Sequence, residues 1–222
     1  MQIKIAPSIL SADFSRMGEA VELCEKSGAD LIHCDVMDGS FVGPITFGGQ
    51  MVKNIRPRTK LPLDVHLMIE HPQTQIKFFA EAGADIITVH YEACSKISQS
   101  YLKDTLELIK SYGVKCGAVV NPDVPVENIF PVFGLCDMVL IMSVFPGYGG
   151  QKFIPSAIEK IRLAREYAVN TGKPELDIEV DGGINAQTAG QCVAAGANVL
   201  VAGSALFSAP DFASAVKGLR GQ

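Results

Sequence analysis

His33 and Asp35 stand two residues apart in the run Ile32-His33-Cys34-Asp35-Val36. In an extended strand a period of two puts both side chains on one side of the sheet. His66 falls near the end of Leu63-Asp64-Val65-His66-Leu67, and Asp181 closes Glu179-Val180-Asp181 before Gly182-Gly183. Two imidazoles and two carboxylates at one end of a parallel sheet suit a single divalent transition ion, with Zn, Fe, Mn or Co favoured over Mg by the mixed nitrogen and oxygen donors. Taken singly, each histidine reads more readily as a satisfied core residue and each aspartate as a loop cap. Four such groups at the same end of the fold are not explained that way. His90 also closes a β-branched run and His71 precedes Pro72; neither is assigned to the metal.

Glycine clusters form a second constellation. Pro146-Gly147-Tyr148-Gly149-Gly150-Gln151, Asp181-Gly182-Gly183 and Gly203-Ser204 each follow an apolar run. Glycines at loop tips leave backbone N–H groups free to face an anion, and the start of the last helix would add its positive end. A metal beside a phosphate grip suits a sugar phosphate with a carbonyl, because an ion can stabilise the enediolate left when the carbon next to a ketone loses its proton. Two acids, one for each face of that planar intermediate, would let a proton leave from one side and return on the other. That reaction is epimerisation, with Asp35 and Asp181 as the acid/base pair.

These residues need a scaffold that gathers strand ends. Gly28-Ala29-Asp30, Gly83-Ala84-Asp85 and Gly196-Ala197-Asn198 each precede a short β-branched run, and the glycines lie 55 and 113 residues apart, close to two and four multiples of about 28. A unit of that length holds one strand and one helix. Further apolar runs occur at Ile3 to Ile9, Leu63 to Leu67, Lys115 to Val120, Met138 to Met142 and Leu176 to Val180, which makes eight. Between them lie helical spacings such as Val21/Cys24, Ile76/Phe79/Ala80, Leu102/Leu106/Ile109 and Ile158/Ile161/Leu163. Alternating strand and helix implies a parallel sheet, and continuous rather than alternating apolar runs imply strands covered on both faces. The G-x-G-x-x-G turn of an open nucleotide-binding sheet is absent after the first run. The chain is therefore expected to form an α/β fold, a single-domain (β/α)8 TIM barrel over residues 1–222, with its working face at the carboxyl ends of the strands.

Composition narrows the partners. The 222 residues are 48% hydrophobic and 19% charged, enough for a large core and too apolar for disorder. A net charge of −5 gives no basic field for nucleic acid or an acidic membrane. No run of about 18 apolar residues is present to cross a bilayer, and no leader is recognisable at the start. Six cysteines without a C-x-x-C pair suggest reduced thiols and a cytoplasmic location.

Beyond these readings the sequence resembles the ribulose-phosphate 3-epimerase family. The resemblance runs through Ile5-Ala6-Pro7-Ser8-Ile9-Leu10-Ser11-Ala12-Asp13-Phe14, Asp35-Val36-Met37-Asp38-Gly39, Leu63 to Met68, Gly147 to Gln151, Glu179 to Ile184 and Val201 to Ser204, which together span essentially the whole chain. It implies a barrel that interconverts D-ribulose 5-phosphate and D-xylulose 5-phosphate with one divalent metal per subunit. By matching motifs, His33, Asp35, His66 and Asp181 would be its ligands, and Ser8 and His66 would touch the sugar. Gly147, Tyr148, Gly149, Gly150, Gly182, Gly183, Gly203 and Ser204 would hold the phosphate end. Met37, Met68 and Met142 match positions lining the reacting centre, where a soft, non-protonatable wall keeps stray protons away. The resemblance also implies a homo-oligomer, a dimer or larger ring, and no hydrophobic stripe selects between them.

Two loops depart from the family pattern. Asp38-Gly39-Ser40-Phe41-Val42-Gly43-Pro44 has Ser40 in place of the usual His and a displaced proline, and Phe145 replaces an Asn in Ser143 to Gly147. These changes leave open a hexulose substrate, D-allulose 6-phosphate, handled by the same chemistry. A Schiff-base aldolase would need a lysine at a strand end, and Met138-Val139-Leu140-Ile141-Met142 has none. The related decarboxylases and hexulose-phosphate synthases carry D-x-K-x-x-D, whereas His33-Cys34-Asp35-Val36-Met37-Asp38 opens with histidine and has Met37 at the lysine position. A non-catalytic sugar-phosphate-binding protein would not need both carboxylates.

Overall fold

In the computed structural model, which describes residues 1–221, all eight apolar runs are strands. They are β1 (Lys4–Pro7), β2 (Ile32–Met37), β3 (Leu63–Met68), β4 (Ile86–His90), β5 (Lys115–Val120), β6 (Met138–Met142), β7 (Asp177–Asp181) and β8 (Val199–Ala202). The run from Ile3 to Ile9 is trimmed at both ends, because Ser8 already caps a 3-10 turn over Ile9–Ser11. The strands pair in parallel in the order β1-β8-β7-β6-β5-β4-β3-β2. The seam between β1 and β2 is held by a single bridge, Ser8 to His33, and by the Asp30 N–H on the Ile5 carbonyl at 2.9 Å. The result is a nearly closed (β/α)8 barrel.

The recurring Gly-Ala-Asp/Asn has two physical jobs. Its glycine ends a helix in the left-handed region: Gly83 closes its helix at φ +98, and a Cβ there would lie 2.8 Å from the Arg56 side chain. Its polar residue staples the foot of the preceding strand. Asp30 accepts from the Ile5 N–H at 2.7 Å, Asp85 from Leu63 at 2.8 Å and Asn198 from Ile178 at 2.8 Å. Asp137 does the same for Cys116 at 3.0 Å, without the glycine signature. Arg56, Arg165 and Arg220 each reach one of these polar groups, so the guanidinium compensates a half-buried carboxylate or amide.

Helices α1 (Met17–Lys26), α2 (Gly49–Ile55), α3 (Gln73–Ala82), α4 (Tyr91–Ser95), α5 (Tyr101–Ser111), α6 (Ala157–Asn170), α7 (Ala186–Ala195), α8 (Ser204–Phe207) and α9 (Phe212–Leu219) surround the sheet. Three expectations are corrected here. Between β5 and β6 the chain forms a 3-10 stretch, Val126–Val132, with Pro131 inside it, because proline cannot continue the α-helical ladder. In α6 the buried face is Ala157, Ile161, Ala164 and Ala168, which a 3.6 period aligns, while Ile158 and Leu163 flank it half-buried. The helix after Gly203 is a four-residue turn and not the last helix, which starts at Phe212.

The two faces of the strands diverge as a period of two requires. Cys34, Val36, Val65, Leu67, Ile87 and Val89 join the main core between sheet and helices. Inside the barrel, Ala6, Leu31, Ile86, Met138, Val199 and Val201 form an apolar plug, four of them at or next to strand starts, which leaves the opposite end for polar groups. All six cysteines are free and buried, and burial pushes the Cys24 thiol up to about 12, so they act as small hydrophobes. No helix among the described residues is long and apolar enough to cross a membrane. Phe79, 2% exposed, anchors α3 on the sheet. Phe79→Ala is expected to cost about 3–5 kcal/mol in chemical denaturation; a loss below about 1 kcal/mol would contradict this packing.

Candidate active site

Parallel pairing sets the site's register. His33 lies beside Asp64 and Asp35 beside His66 across β2 and β3, while Met37 pairs with Met68 at the rim. On the far wall Met142 pairs with Asp181 across β6 and β7. The inward parity of each strand thus brings together the four groups that the sequence places at strand ends. One ligand atom from each of His33, Asp35, His66 and Asp181 lies within 4.8 Å of the others. The Asp35 Oδ1 is 3.3 Å from the His33 Nε2 and 3.2 Å from the His66 Nδ1, and the Asp181 Oδ2 is 4.0 Å from that same Nδ1.

The surroundings set the charges. The His33 Nδ1 sits 2.6 Å from Asp64 Oδ2, and its Nε2 is buried with no hydrogen-bond partner. Burial opposes a charge on this ring, but the Asp35 and Asp64 carboxylates outweigh it and hold His33 well above its ordinary range. Burial likewise opposes ionisation of Asp35, and the His33 and His66 rings overcome it, keeping the carboxyl low. For His66 burial wins and pushes the imidazole down to about 4. Burial first, and then the Asp35 charge, push Asp181 up to about 7. The two carboxyls therefore differ in proton affinity despite lying side by side. Beneath them Glu179 is driven well above its ordinary range by burial and by Asp64.

Above this cluster a cavity opens to the surface. Asp35 and Asp181 form part of its floor with Ser8, whose hydroxyl donates to Asp35 Oδ2 at 2.5 Å. His33 and His66, both fully buried, lie below that floor. Met37, Met68 and Met142 line the wall, each under 5% exposed. Gly147, Tyr148, Gly149, Gly150, Gly182, Gly183, Gly203 and Ser204 complete the lining on the side of β6, β7 and β8. Gly183, at φ +63, has no room for a side chain, since a Cβ would come within 2.4 Å of the Phe153 backbone nitrogen. Gln151 braces the loop after β6 by donating to the carbonyls of Phe145 and Tyr148 at 2.7 and 2.8 Å.

Several contributors are not apparent from the sequence alone. Ser11 lines the cavity, and its hydroxyl fills the space beside Gly203. Asp64 and Glu179 face His33 from below. His90, left out of the metal set, lies 2.8 Å from His66, ring nitrogen to ring nitrogen, and 3.1 Å from Glu92 Oε2. A signal for it is present, because His90 and Glu92 have the same two-residue spacing as His33 and Asp35. The departing residues Ser40, Gly43, Pro44 and Phe145 are not among the cavity-lining residues; Ser40 hydrogen-bonds Glu70 on the outer loops.

Among solved structures, the fold matches a tryptophan synthase complex from Pyrococcus furiosus, with TM-score 0.70, 17% identity and coverage of 99% of this chain and 98% of that one. It also matches a 3-hexulose-6-phosphate synthase with TM-score 0.62, 19% identity and coverage of 100% and 99%. These likenesses speak to the barrel alone. A ribulose-phosphate 3-epimerase from Bacillus subtilis is 53% identical over 219 residues, 99% of each chain. One from Synechocystis is 51% identical, covering 98% of this chain and 93% of that one, and the chloroplastic ribulose-5-phosphate-3-epimerase of Arabidopsis thaliana is 49% identical, covering 98% and 76%. Residues 4–207 match the ribulose-phosphate 3 epimerase family, and with relatives of this similarity along its whole length the chain belongs to that family.

Proposed function

We propose that this chain interconverts D-ribulose 5-phosphate and D-xylulose 5-phosphate, with Asp35 and Asp181 as acid/base groups serving the two faces of an enediolate. The observation carrying this reading is the pair of carboxylates side by side on the cavity floor, in a cluster whose ligand atoms lie within 4.8 Å of one another. Their unequal proton affinities suit a transfer that uses both faces. Asp35 is held ionised and can accept the proton of carbon 3, while Asp181, near 7, can hold one to deliver to the other face. The reverse reaction exchanges their roles.

The cluster also fits one divalent ion, Zn, Fe, Mn or Co, because the donors are two nitrogens and two carboxylates and the buried His33 Nε2 has no other partner. His33, Asp35, His66 and Asp181 would hold it, and a bound ion supplies Lewis-acid stabilisation of negative charge on substrate oxygen. Ser8 orients Asp35 through its 2.5 Å hydrogen bond and lies where it can touch the sugar. Met37, Met68 and Met142 offer no exchangeable proton and exclude water from the reacting carbon. The glycine loops after β6, β7 and β8 take the phosphate, with backbone N–H groups rather than lysines supplying the grip.

A pentulose is favoured because the residues that depart from the family pattern, although next to lining residues, do not themselves line the cavity. The test is a turnover in deuterated water on D-ribulose 5-phosphate and, in parallel, D-allulose 6-phosphate. Deuterium should appear at carbon 3 of both ribulose and xylulose 5-phosphate, with kcat/KM at least about 10-fold higher for the pentulose, a difference of ~1.4 kcal/mol. Binding without exchange would reduce the protein to a sugar-phosphate carrier, and a faster hexulose would reassign the substrate.

A further inference from the structure

Each metal-facing histidine has to present a lone pair, and a neutral imidazole has only one. For His33 the assignment is direct. Its Nδ1 lies 2.6 Å from Asp64 Oδ2 and donates to it, which leaves the lone pair on Nε2, the nitrogen turned toward Asp35. His66 has no carboxylate behind it. Its outward nitrogen, Nε2, faces the Nε2 of a second histidine, His90, at 2.8 Å. One of these two nitrogens must carry the hydrogen, and nothing in the pair itself decides which.

The decision comes from the far side of His90. The Glu92 Oε1 accepts from the backbone N–H of Asn121 at 2.6 Å, a donor whose role is fixed, so the carboxylate is anchored. Its Oε2 lies 3.1 Å from His90 Nδ1 and, as a carboxylate, accepts. A neutral His90 therefore carries its hydrogen on Nδ1 and has its lone pair on Nε2. Facing that lone pair, His66 Nε2 has to donate, which puts the His66 lone pair on Nδ1, 3.2 Å from Asp35 and 4.0 Å from Asp181. With both rings neutral, the opposite arrangement would set a His90 lone pair against the Glu92 carboxylate; the one assigned sets the His66 lone pair toward Asp35, 3.2 Å away, the side on which a bound cation would offset it.

The rings are also fixed in place. His90 is fully buried at the end of β4, Phe41 packs on it with centroids 4.8 Å apart, and the His66 and His90 rings stack at 5.0 Å and 24°. Glu92 is carried by α4, one turn of helix that begins at Tyr91, so one short segment presents both members of the pair. We propose that His90 and Glu92 are positioning residues that hold His66 in the Nε2–H form, so that its Nδ1 lone pair faces the cluster with Asp35 and Asp181. This rests on the reading of that cluster as a metal site and extends it to two residues outside the ligand set. Outer partners of ligating histidines typically tune metal affinity by about 10- to 100-fold.

The test begins with wild-type protein labelled with ¹⁵N at histidine, loaded with Zn(II) and held at about pH 8. With four histidines in the chain, ring correlation spectra can be assigned. His90 should show a hydrogen on Nδ1 and none on Nε2, and His66 a hydrogen on Nε2. Cobalt(II) binding is then titrated for the wild type, His90→Leu and His90→Gln, the last of which restores an amide oxygen able to accept from His66. Leucine should weaken Co(II) binding by about 10- to 100-fold, and glutamine should recover most of that loss. A hydrogen on His90 Nε2 in the wild type would overturn the inference, as would leucine binding Co(II) within twofold of wild type, or glutamine as weak as leucine. A wild type that took up neither Zn(II) nor Co(II) would defeat the metal-site reading; once metal is bound, the His90 ring proton and the leucine–glutamine comparison decide this inference.

Discussion

Asp181→Asn is expected to lower turnover by at least about 10³ and to leave the barrel folded, and Asp35→Asn to do the same. The asparagine is nearly isosteric with either aspartate, but it can neither hold nor pass a proton at neutral pH, so one face of the planar intermediate loses its partner. The two variants differ in their side effects. Asp35 is held by Ser8, His33 and His66, so an amide there disturbs three neighbours. Asp181 is the cleaner probe: its nearest partner in the cluster is His66 at 4.0 Å, and it lines the cavity.

Stability adds an independent check on Asp181 in metal-free protein. Its folded-state value of about 7 exceeds the ordinary 3.8, so between those limits the folded state binds more protons than the unfolded one. The contribution is then fully present below about pH 4 and is lost as pH rises toward 7. Asp181→Asn should remove that decline, which denaturation midpoints at pH 4 and pH 7 will show. Near-native kcat in either asparagine variant would end the two-base scheme.

Removal of divalent metal is expected to abolish activity, and adding back Zn, Fe, Mn or Co to restore it. The structural reason is the cost of the cluster without a cation. Two carboxylates lie against two buried rings, and the metal-free His33 is drawn toward its charged form by Asp35 and Asp64. Protons and metal therefore compete for the same ring, so metal affinity should fall as pH falls. A chelated preparation, shown metal-free by elemental analysis, should retain its far-UV circular dichroism, because the apolar plug and the helix–sheet core contain none of the four groups. Full turnover in that preparation would exclude the ion from the reaction.

Much of this protein could be read in its amino-acid order because the relevant patterns are local. A β-branched run after Gly-Ala-Asp states its own conformation, and seven of the eight strands lie within one residue of the runs that announced them. His33 and Asp35 declare a shared face through a spacing of two, since side chains in a strand alternate. Local pattern fails where chemistry depends on distance through space. Pro131 turned the fifth connection into a 3-10 stretch, and the helix after Gly203 shrank to a single turn, as the chain fitted itself around neighbouring elements.

The support of the site lay beyond local pattern. Asp64 reads in sequence as one more residue of a buried strand, yet pairing with β2 puts it against the His33 ring. His90 and Glu92 share the ligands' two-residue spacing, but Glu92 lies on α4 rather than in a strand, and only the curl of the sheet brings the His90 ring onto His66 rather than into the cavity. The order of residues thus determined which groups are available and which way each faces from its own strand. Closure of the barrel decided which of them meet, because contact between side chains on separate strands is set by register and curvature, and neither is encoded in any one segment.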